Sequence, residues 1–312
     1  MIDKTTSQYI ILKPNPFYFP PLPSHIHIKV YFVQDPFTAY RLYETKELDF
    51  LPYLPAPFIR EYRQKKSFYF HFVLRTDYIG FGKQLGKELR KRLSEALDVK
   101  EFQSLFQSPS LIGCWGLPRY FLPKSICISS FHKTKKAFKS SYRPLDFYYS
   151  RVGGDDTLKL VQWMQHRWKK NLGITVNLHP VERGMMRWTL LNKKPDLFRK
   201  SVPLQVPTCL NAMEIFHSKN PNNYISLKNK DLDRLISKLE NSQKTLQKQR
   251  LCTKIAKFLA KNYLIYPLGK FYFPILFNGS FSGIHLTPLN QLDLRRIKPC
   301  AQKNCHLEVL SP

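Results

Sequence analysis

The chain has 312 residues, and its 50 Lys and Arg against 22 Asp and Glu give a formal net charge of +28 at pH 7. Hydrophobic residues make up 43% and aromatic residues 14% of it, which favours a folded globule over disorder, and the length allows a buried core in about two domains. No apolar run is long enough to span a bilayer, so the sequence predicts no transmembrane helix.

The first part of the chain is interrupted by proline. Prolines cluster at residues 14–23 and 52–57. Proline removes a backbone donor and restricts the residue before it, so these stretches are predicted to be extended connectors between regular elements.

Residues 158–182 combine a helix, a turn and a strand in immediate succession. Apolar side chains recur there at helical spacing, namely Leu158, Val161, Trp163, Met164 and Trp168. Gly173 predicts the end of the helix, because glycine readily takes the left-handed cap conformation. Residues 174–178 then alternate apolar and polar side chains, as a half-buried strand does. The sequence therefore predicts a helix over residues 157–171 followed at once by a strand over residues 174–178, a piece of α/β architecture.

The residues before this helix have two interpretations. Gly153, Gly154, Asp155 and Asp156 resemble a phosphate-binding loop, but the Gly-Lys-Ser/Thr ending is missing and two carboxylates would repel a phosphate. The favoured interpretation is a glycine turn in which Asp155 or Asp156 caps the helix.

A second helix is predicted over residues 246–261. Its apolar stripe consists of Leu251, Ile255, Phe258 and Leu259, with basic residues opposite. This pattern favours a docked surface helix, and a helix lying in a membrane surface is the alternative.

The excess of basic residues has three interpretations. Lys and Arg are spread along the whole chain on the polar sides of ordinary helices, and no known nucleic-acid motif accompanies them. A solvated basic surface is therefore the favoured interpretation. A nucleic-acid-binding protein and attraction to an anionic envelope surface are the alternatives.

The cysteines and histidines do not predict a metal site. The six cysteines are Cys114, Cys127, Cys209, Cys252, Cys300 and Cys305, and they form no CxxC pair. Cys300, Cys305 and His306 lack the fourth ligand that zinc requires, so a free or disulfide-forming pair is expected. His25 and His27 lack a third ligand. No nucleophile elbow is present, and no Cys/His pair lies in a catalytic motif. We therefore expect no catalytic residue, no metal and no cofactor, and we expect that the protein is not an enzyme.

Five segments resemble one protein family in the correct order. Residues 9–19, 30–50, 76–99, 158–182 and 213–223 match its motifs, and the late strand at residues 266–277 follows. The family is that of the oligopeptide- and dipeptide-binding receptors of bacterial ABC importers, solute-binding protein family 5. The likeness runs from about residue 9 to residue 297.

The resemblance implies an α/β two-lobe periplasmic-binding-protein-like fold (type II) with mixed sheets. Residues 1–75 and 266–312 would belong to the first lobe, the latter including a C-terminal tail, and residues 76–265 to a continuous second lobe. The second lobe would also contain a helix at residues 85–97 and a strand at residues 145–149. Family members begin with an export signal and a longer N-terminal portion, so we expect an incomplete first lobe in a truncated or split receptor without a signal peptide in this chain.

The resemblance also implies the candidate binding residues. Arg199 falls on a ligand-facing arginine of the family, and Gln205 stands where the family has the aspartate that pairs with the peptide ammonium. Tyr78 and Trp115 match positions near the ligand cleft, and we expect Arg199 within reach of Gln205 or Tyr78. From the residues alone, Arg199 is rather a surface basic residue beside Lys200, and Tyr78 and Trp115 are packing aromatics.

The implied function is the substrate-binding component of a peptide ABC transport system, with impaired binding. Its partners would be a peptide or other small solute, the importer's membrane subunits and a separately encoded N-terminal fragment, with no specific nucleic acid. Its place would be the periplasm or cell envelope. The alternatives are a basic nucleic-acid-binding protein and a non-transporting envelope remnant.

Overall fold

The protein was analysed as a computed structural model that describes residues 1–19, 26–98, 101, 104, 143–151, 154–226, 228–268, 272–300 and 305–309. The strands are β1 (Ile2–Thr5), β2 (Tyr9–Leu12), β3 (Ile28–Tyr31), β4 (Phe50–Leu51), β5 (Phe68–Phe72), β6 (Arg75–Phe81), β7 (Leu145–Ser150), β8 (Val176–Val181), β9 (Leu197–Pro203), β10 (Ile265–Pro267), β11 (Tyr272–Phe277), β12 (Phe281–Ser282), β13 (His285–Leu286), β14 (Leu292–Asp293), β15 (Lys298–Pro299) and β16 (Glu308–Val309). The α-helices are α1 (Pro36–Glu44), α2 (Ala56–Tyr62), α3 (Lys87–Glu95), α4 (Gly154–Leu172), α5 (Met186–Lys193), α6 (Cys209–Met213), α7 (Lys230–Glu240) and α8 (Thr245–Lys261).

The chain divides into two compact units. Unit 1 consists of Met1–Val73 and Tyr272–Pro312, and unit 2 is the continuous stretch Leu74–Phe271. The chain therefore leaves the first unit once and returns to it once.

Unit 2 is organised around a five-stranded sheet in the order β10-β6-β9-β7-β8. Strand β7 runs parallel to β8 and β9, whereas β6 runs antiparallel to β9 and β10. This mixed sheet with flanking helices confirms the predicted α/β fold class.

The predicted helix–turn–strand segment is confirmed with small shifts of its ends. Helix α4 ends at Gly173, whose φ of +70° and N–H bond to the Lys169 carbonyl (3.0 Å) form a left-handed cap. Strand β8 begins at Val176, two residues later than predicted, and it lies at the sheet edge. Val176 is buried and its neighbour Asn177 is exposed, which gives the alternation seen in the sequence.

Helices α3 and α4 share the main core of unit 2. Trp168 is fully buried, and its indole N–H donates to the Leu93 carbonyl at 2.8 Å. Asn171 donates to the Ala96 carbonyl at 2.8 Å. Helix α3 is two residues shorter at each end than predicted, because Leu85 and Leu97 are held in turns by bonds to the carbonyls of nearby residues.

Helix α8 packs into unit 2 as a docked helix, so the membrane-lying alternative does not apply to it. Its residues Leu251, Ile255 and Leu259 are buried. A disulfide joins Cys252 of α8 to Cys209 of α6, a pairing that the sequence spacing did not indicate. No helix in the described residues is long and apolar enough to cross a membrane.

Unit 1 is built from small sheets. The strands pair in the orders β1-β2-β3, β4-β11-β5, β12-β15 and β14-β13-β16. One core lies around Tyr40, Leu54 and Leu276, and a second lies around Phe277 and Ile284. Cys300 and Cys305 form a disulfide, one of the two states expected for this pair.

Candidate functional site

The predicted site residue Arg199 belongs to a buried ionic cluster on β6 and β9. Its Nη2 lies 3.2 Å from Oδ1 of Asp77, and its Nη1 donates to Thr157 Oγ1 at 3.4 Å. Asp77 also forms an ion pair with Arg75 and accepts a hydrogen bond from Ser201 Oγ at 3.2 Å. Arg199 is therefore oriented by the sheet and is not a mobile surface side chain.

The strand register explains why this cluster forms. Asp77 pairs with Ser201 and Ile79 pairs with Arg199, so Asp77, Ser201 and Arg199 lie on one face of the sheet. Two guanidinium groups share one carboxylate here. Burial lowers the pKa of Arg75, the charge of Arg199 adds to this effect, and Asp77 opposes it.

Tyr78 lies on the opposite face of the same sheet. Its register partner is Lys200, and its ring packs against Phe198 and Phe216 with centroid distances of 6.1 and 5.5 Å. The side chain is 1% exposed, and burial raises the pKa of its phenol. The pleat therefore separates the Tyr78 and Arg199 side chains, so Tyr78 is not the neighbour predicted for Arg199, and contact with Gln205 stays a prediction.

Asp196, which precedes Arg199 in the matched segment, has a structural role. Arg143 donates to both of its carboxylate oxygens, at 2.9 and 2.8 Å. Gln84 Nε2 and the backbone N–H of Asp146 also donate to it, at 2.9 and 3.0 Å. These bonds fasten the start of β7 to β9 and leave Asp196 2% exposed.

Gln205 lies in an exposed turn after β9. Its backbone N–H donates to Asn211 Oδ1 at 2.8 Å, and the N–H of Val206 donates to the same oxygen at 3.1 Å. Asn211 in turn donates to Glu214 at 2.7 Å. The turn is thus held through its backbone while the residue at position 205 remains exposed.

Two charged or polar residues near Tyr78, Lys200 and Tyr224, were not singled out from the sequence. Lys200 is half-buried, and its Nζ lies 4.6 Å from the centre of the Tyr224 ring. Arg187 of α5 acts electrostatically on both Lys200 and Tyr224. Lys200 and Asp77 could have been recognised from the sequence, because each is a charged residue inside a buried strand. A buried charge requires a partner of opposite charge or a hydrogen bond.

Several predicted candidates lie outside the described residues. These are Trp115, Cys114, Cys127, His25 and Gly153, together with the side chains of Asp155 and Asp156. Within the described ranges, no group of three His, Cys, Asp or Glu side chains is arranged to hold a metal ion.

Solved structures of periplasmic binding proteins match almost the entire chain. A periplasmic oligopeptide-binding protein of Borrelia burgdorferi, OppAIV, superposes with a TM-score of 0.79 at 18% identity, over 95% of this chain and 63% of its own. The chain has the periplasmic oligopeptide-binding protein fold. The murein tripeptide-binding protein MppA of Escherichia coli gives the same TM-score at 15% identity, again over 95% of this chain and 63% of its own. Haemophilus influenzae OppA, solved with the peptide RPPGFSPFR, gives 0.78 at 16% identity, with 95% and 63% coverage.

The chain thus spans 63% of the length of each of these binding proteins. No protein-family model and no curated protein sequence matches it. The structural likeness defines the fold, and function is inferred from the fold and the site together.

Proposed function

We propose that the protein belongs to solute-binding protein family 5 and acts as the substrate-binding component of a peptide ABC transport system. The observation that carries the proposal is the fit of 95% of the chain to an oligopeptide- and a tripeptide-binding protein, each at a TM-score of 0.79. The two units would correspond to the two lobes, with residues 1–75 and 266–312 in one and residues 76–265 in the other. The protein would be a binding protein and not an enzyme.

The proposed ligand is a peptide with a blocked or neutral N-terminus, or another small solute that places no ammonium group against Gln205. A glutamine accepts a hydrogen bond but does not neutralise an ammonium, whereas a carboxylate forms a charge-assisted bond about twice as strong. Arg199 is the proposed ligand-facing arginine, and its ion pair with Asp77 orients it. Tyr78 and Trp115 remain predicted contributors.

We further propose weak binding of free peptides by this chain. The chain spans 63% of the length of the matched binding proteins, and each ligand hydrogen bond left unmade forfeits about 0.5–1.5 kcal/mol. The expected partners are the membrane subunits of an importer. The expected location of the protein is the periplasm or cell envelope. Nothing in the comparisons supports a separately encoded N-terminal fragment, and the proposal does not include one.

Calorimetric titration with matched peptides tests the proposal. We expect weak binding of peptides with a free N-terminus and tighter binding after Gln205→Asp, because the new carboxylate pairs with the ammonium. N-acetylated versions of the same peptides should show no such gain.

Gln247→Asp on the exposed face of α8 is the matched control, since it adds the same charge away from the site. Equal effects of the two substitutions would contradict the role of position 205. No binding of any peptide by either variant would favour the non-transporting remnant.

A further inference from the structure

Helix α5 has apolar side chains on two opposite faces. Its inner face is buried in unit 2 and consists of Met186, Thr189 and Leu190. Its outer face carries Trp188 and Leu191, which are 52% and 43% exposed, and Met185 just before the helix continues this face at 51% exposure. A surface helix ordinarily turns polar side chains to water, so an outer face with this composition indicates a docking surface.

The same segment is basic and contains no carboxylate. Residues 183–195 include four exposed cations, namely Arg183, Arg187, Lys193 and Lys194. The nearest carboxylates along the chain are engaged by other arginines, since Glu182 lies 3.6 Å from Arg151 and buried Asp196 lies 2.8 Å from Arg143. Among the described residues, no ion pair joins any of the four cations to a carboxylate. The outer face of α5 is therefore surrounded by positive charge.

We propose that the outer face of α5 docks on the surface of an anionic lipid bilayer. The side chains of Met185, Trp188 and Leu191 enter the boundary between headgroups and acyl chains, where the amphipathic indole is especially favoured. The basic side chains remain at the level of the lipid phosphates and are attracted to them. The helix has eight residues and is too short to span the bilayer, so the contact is superficial.

A bilayer fits this surface better than a nucleic acid does. A nucleic acid would pair with the four cations and could stack a base on Trp188, but it would leave Met185 and Leu191 in water. An anionic bilayer accommodates the cations and all three apolar side chains at once. All of these residues belong to unit 2, and the inference stands whether or not the protein transports peptides.

Cosedimentation of the full chain with vesicles tests the proposal. We expect binding to vesicles of equal parts phosphatidylglycerol and phosphatidylcholine to be at least about tenfold tighter than binding to phosphatidylcholine alone. Trp188→Ala should weaken the binding about tenfold and Leu191→Ala about fivefold, because each removes apolar area from the docked face. Leu246→Ala is the matched control, since Leu246 is a 59% exposed leucine among basic residues on α8, and it should leave binding unchanged.

Quenching of tryptophan fluorescence by brominated lipids measures whether Trp188 enters the bilayer. Trp163 and Trp168 are buried in unit 2, so we expect quenching in the natural chain that is lost in Trp188→Phe, a variant that keeps an aromatic side chain and should still bind. Equal weakening by Leu191→Ala and Leu246→Ala, or quenching that persists in Trp188→Phe, would overturn the proposal and assign the binding to net charge alone. Absence of vesicle binding would also overturn it and leave the face to a protein partner. None of these readouts depends on peptide binding.

Discussion

At the residue scale, the charged side chains inside unit 2 are the features that require most explanation. Asp77 has a fully buried side chain, and Arg75 and Arg199 expose 15% and 10% of theirs. A buried carboxylate between two guanidinium groups is stable only while all partners are present. The cluster therefore fixes the orientation of Arg199, the residue that the family resemblance implies is ligand-facing.

Removing the shared carboxylate should be costly. Asp77→Asn removes the buried carboxylate that both Arg75 and Arg199 contact, and we expect a loss of about 3–5 kcal/mol in the free energy of unfolding. Denaturant titration measures it. Glu61→Gln, which breaks the exposed pair of Glu61 and Lys65, should cost less than about 1 kcal/mol. Similar losses in the two variants would show that Asp77 is not the centre of a buried cluster.

His71 of unit 1 provides a prediction about pH. The side chain is 1% exposed, and burial lowers its pKa from 6.5 to about 4. The unfolded chain therefore takes up a proton near pH 6.5 that the folded chain resists until about pH 4, so stability falls as the pH falls through this window. The loss contributed by His71 should reach about 3 kcal/mol. In His71→Asn, the free energy of unfolding should fall less between pH 6.5 and pH 4, by about that amount. An unchanged dependence of stability on pH would refute the lowered pKa of His71.

At the element scale, the segment from α4 to β8 shows how local sequence and tertiary contacts combine. The helix ends where Gly173 takes a positive φ, as the sequence indicates. The helix face is then fixed by Trp168, which is bonded to the Leu93 carbonyl of α3. Strand β8 joins the sheet by parallel pairing with β7, a contact between residues far apart in the chain.

The cap at Gly173 can be tested by a substitution to alanine, which adds one methyl group. Gly173→Ala places a side chain at a φ of +70° and should cost about 1–2 kcal/mol of stability. Gly184→Ala is the matched control, because its added Cβ meets nothing within 4 Å, and it should be neutral or stabilising by up to about 1 kcal/mol. Thermal unfolding of both variants provides the comparison, and equal effects would count against a left-handed cap.

At the scale of the whole molecule, the net charge of +28 affects association more than fold. We expect DNA retention that is independent of base sequence and that disappears between low and physiological salt, because released counterions drive such binding. Gel-shift titrations at several salt concentrations, with unrelated duplexes, measure this. A complex that discriminates between duplexes and persists at physiological salt would instead support the nucleic-acid alternative.

The sequence alone determined the elements whose signal is local. Helix α4 and strand β8 were predicted to within three residues at each end. The signals were the helical period of residues 158–172, the glycine that ends the helix and the alternation that follows. The same periodicity placed Leu251, Ile255 and Leu259 on the buried face of α8. These features depend on the geometry of neighbouring residues, which is why they can be read without a fold.

Only the tertiary structure decided which distant residues meet. The register of β6 with β9 brings Asp77 to Arg199 and places Tyr78 and Lys200 on the other face, and no local pattern contains that register. The Cys209–Cys252 pairing likewise depends on the packing of α6 with α8, 43 residues apart in the chain. Shifting the register by one residue would exchange the faces on which the β9 side chains lie, so the Asp77–Arg199 contact follows from long-range strand pairing.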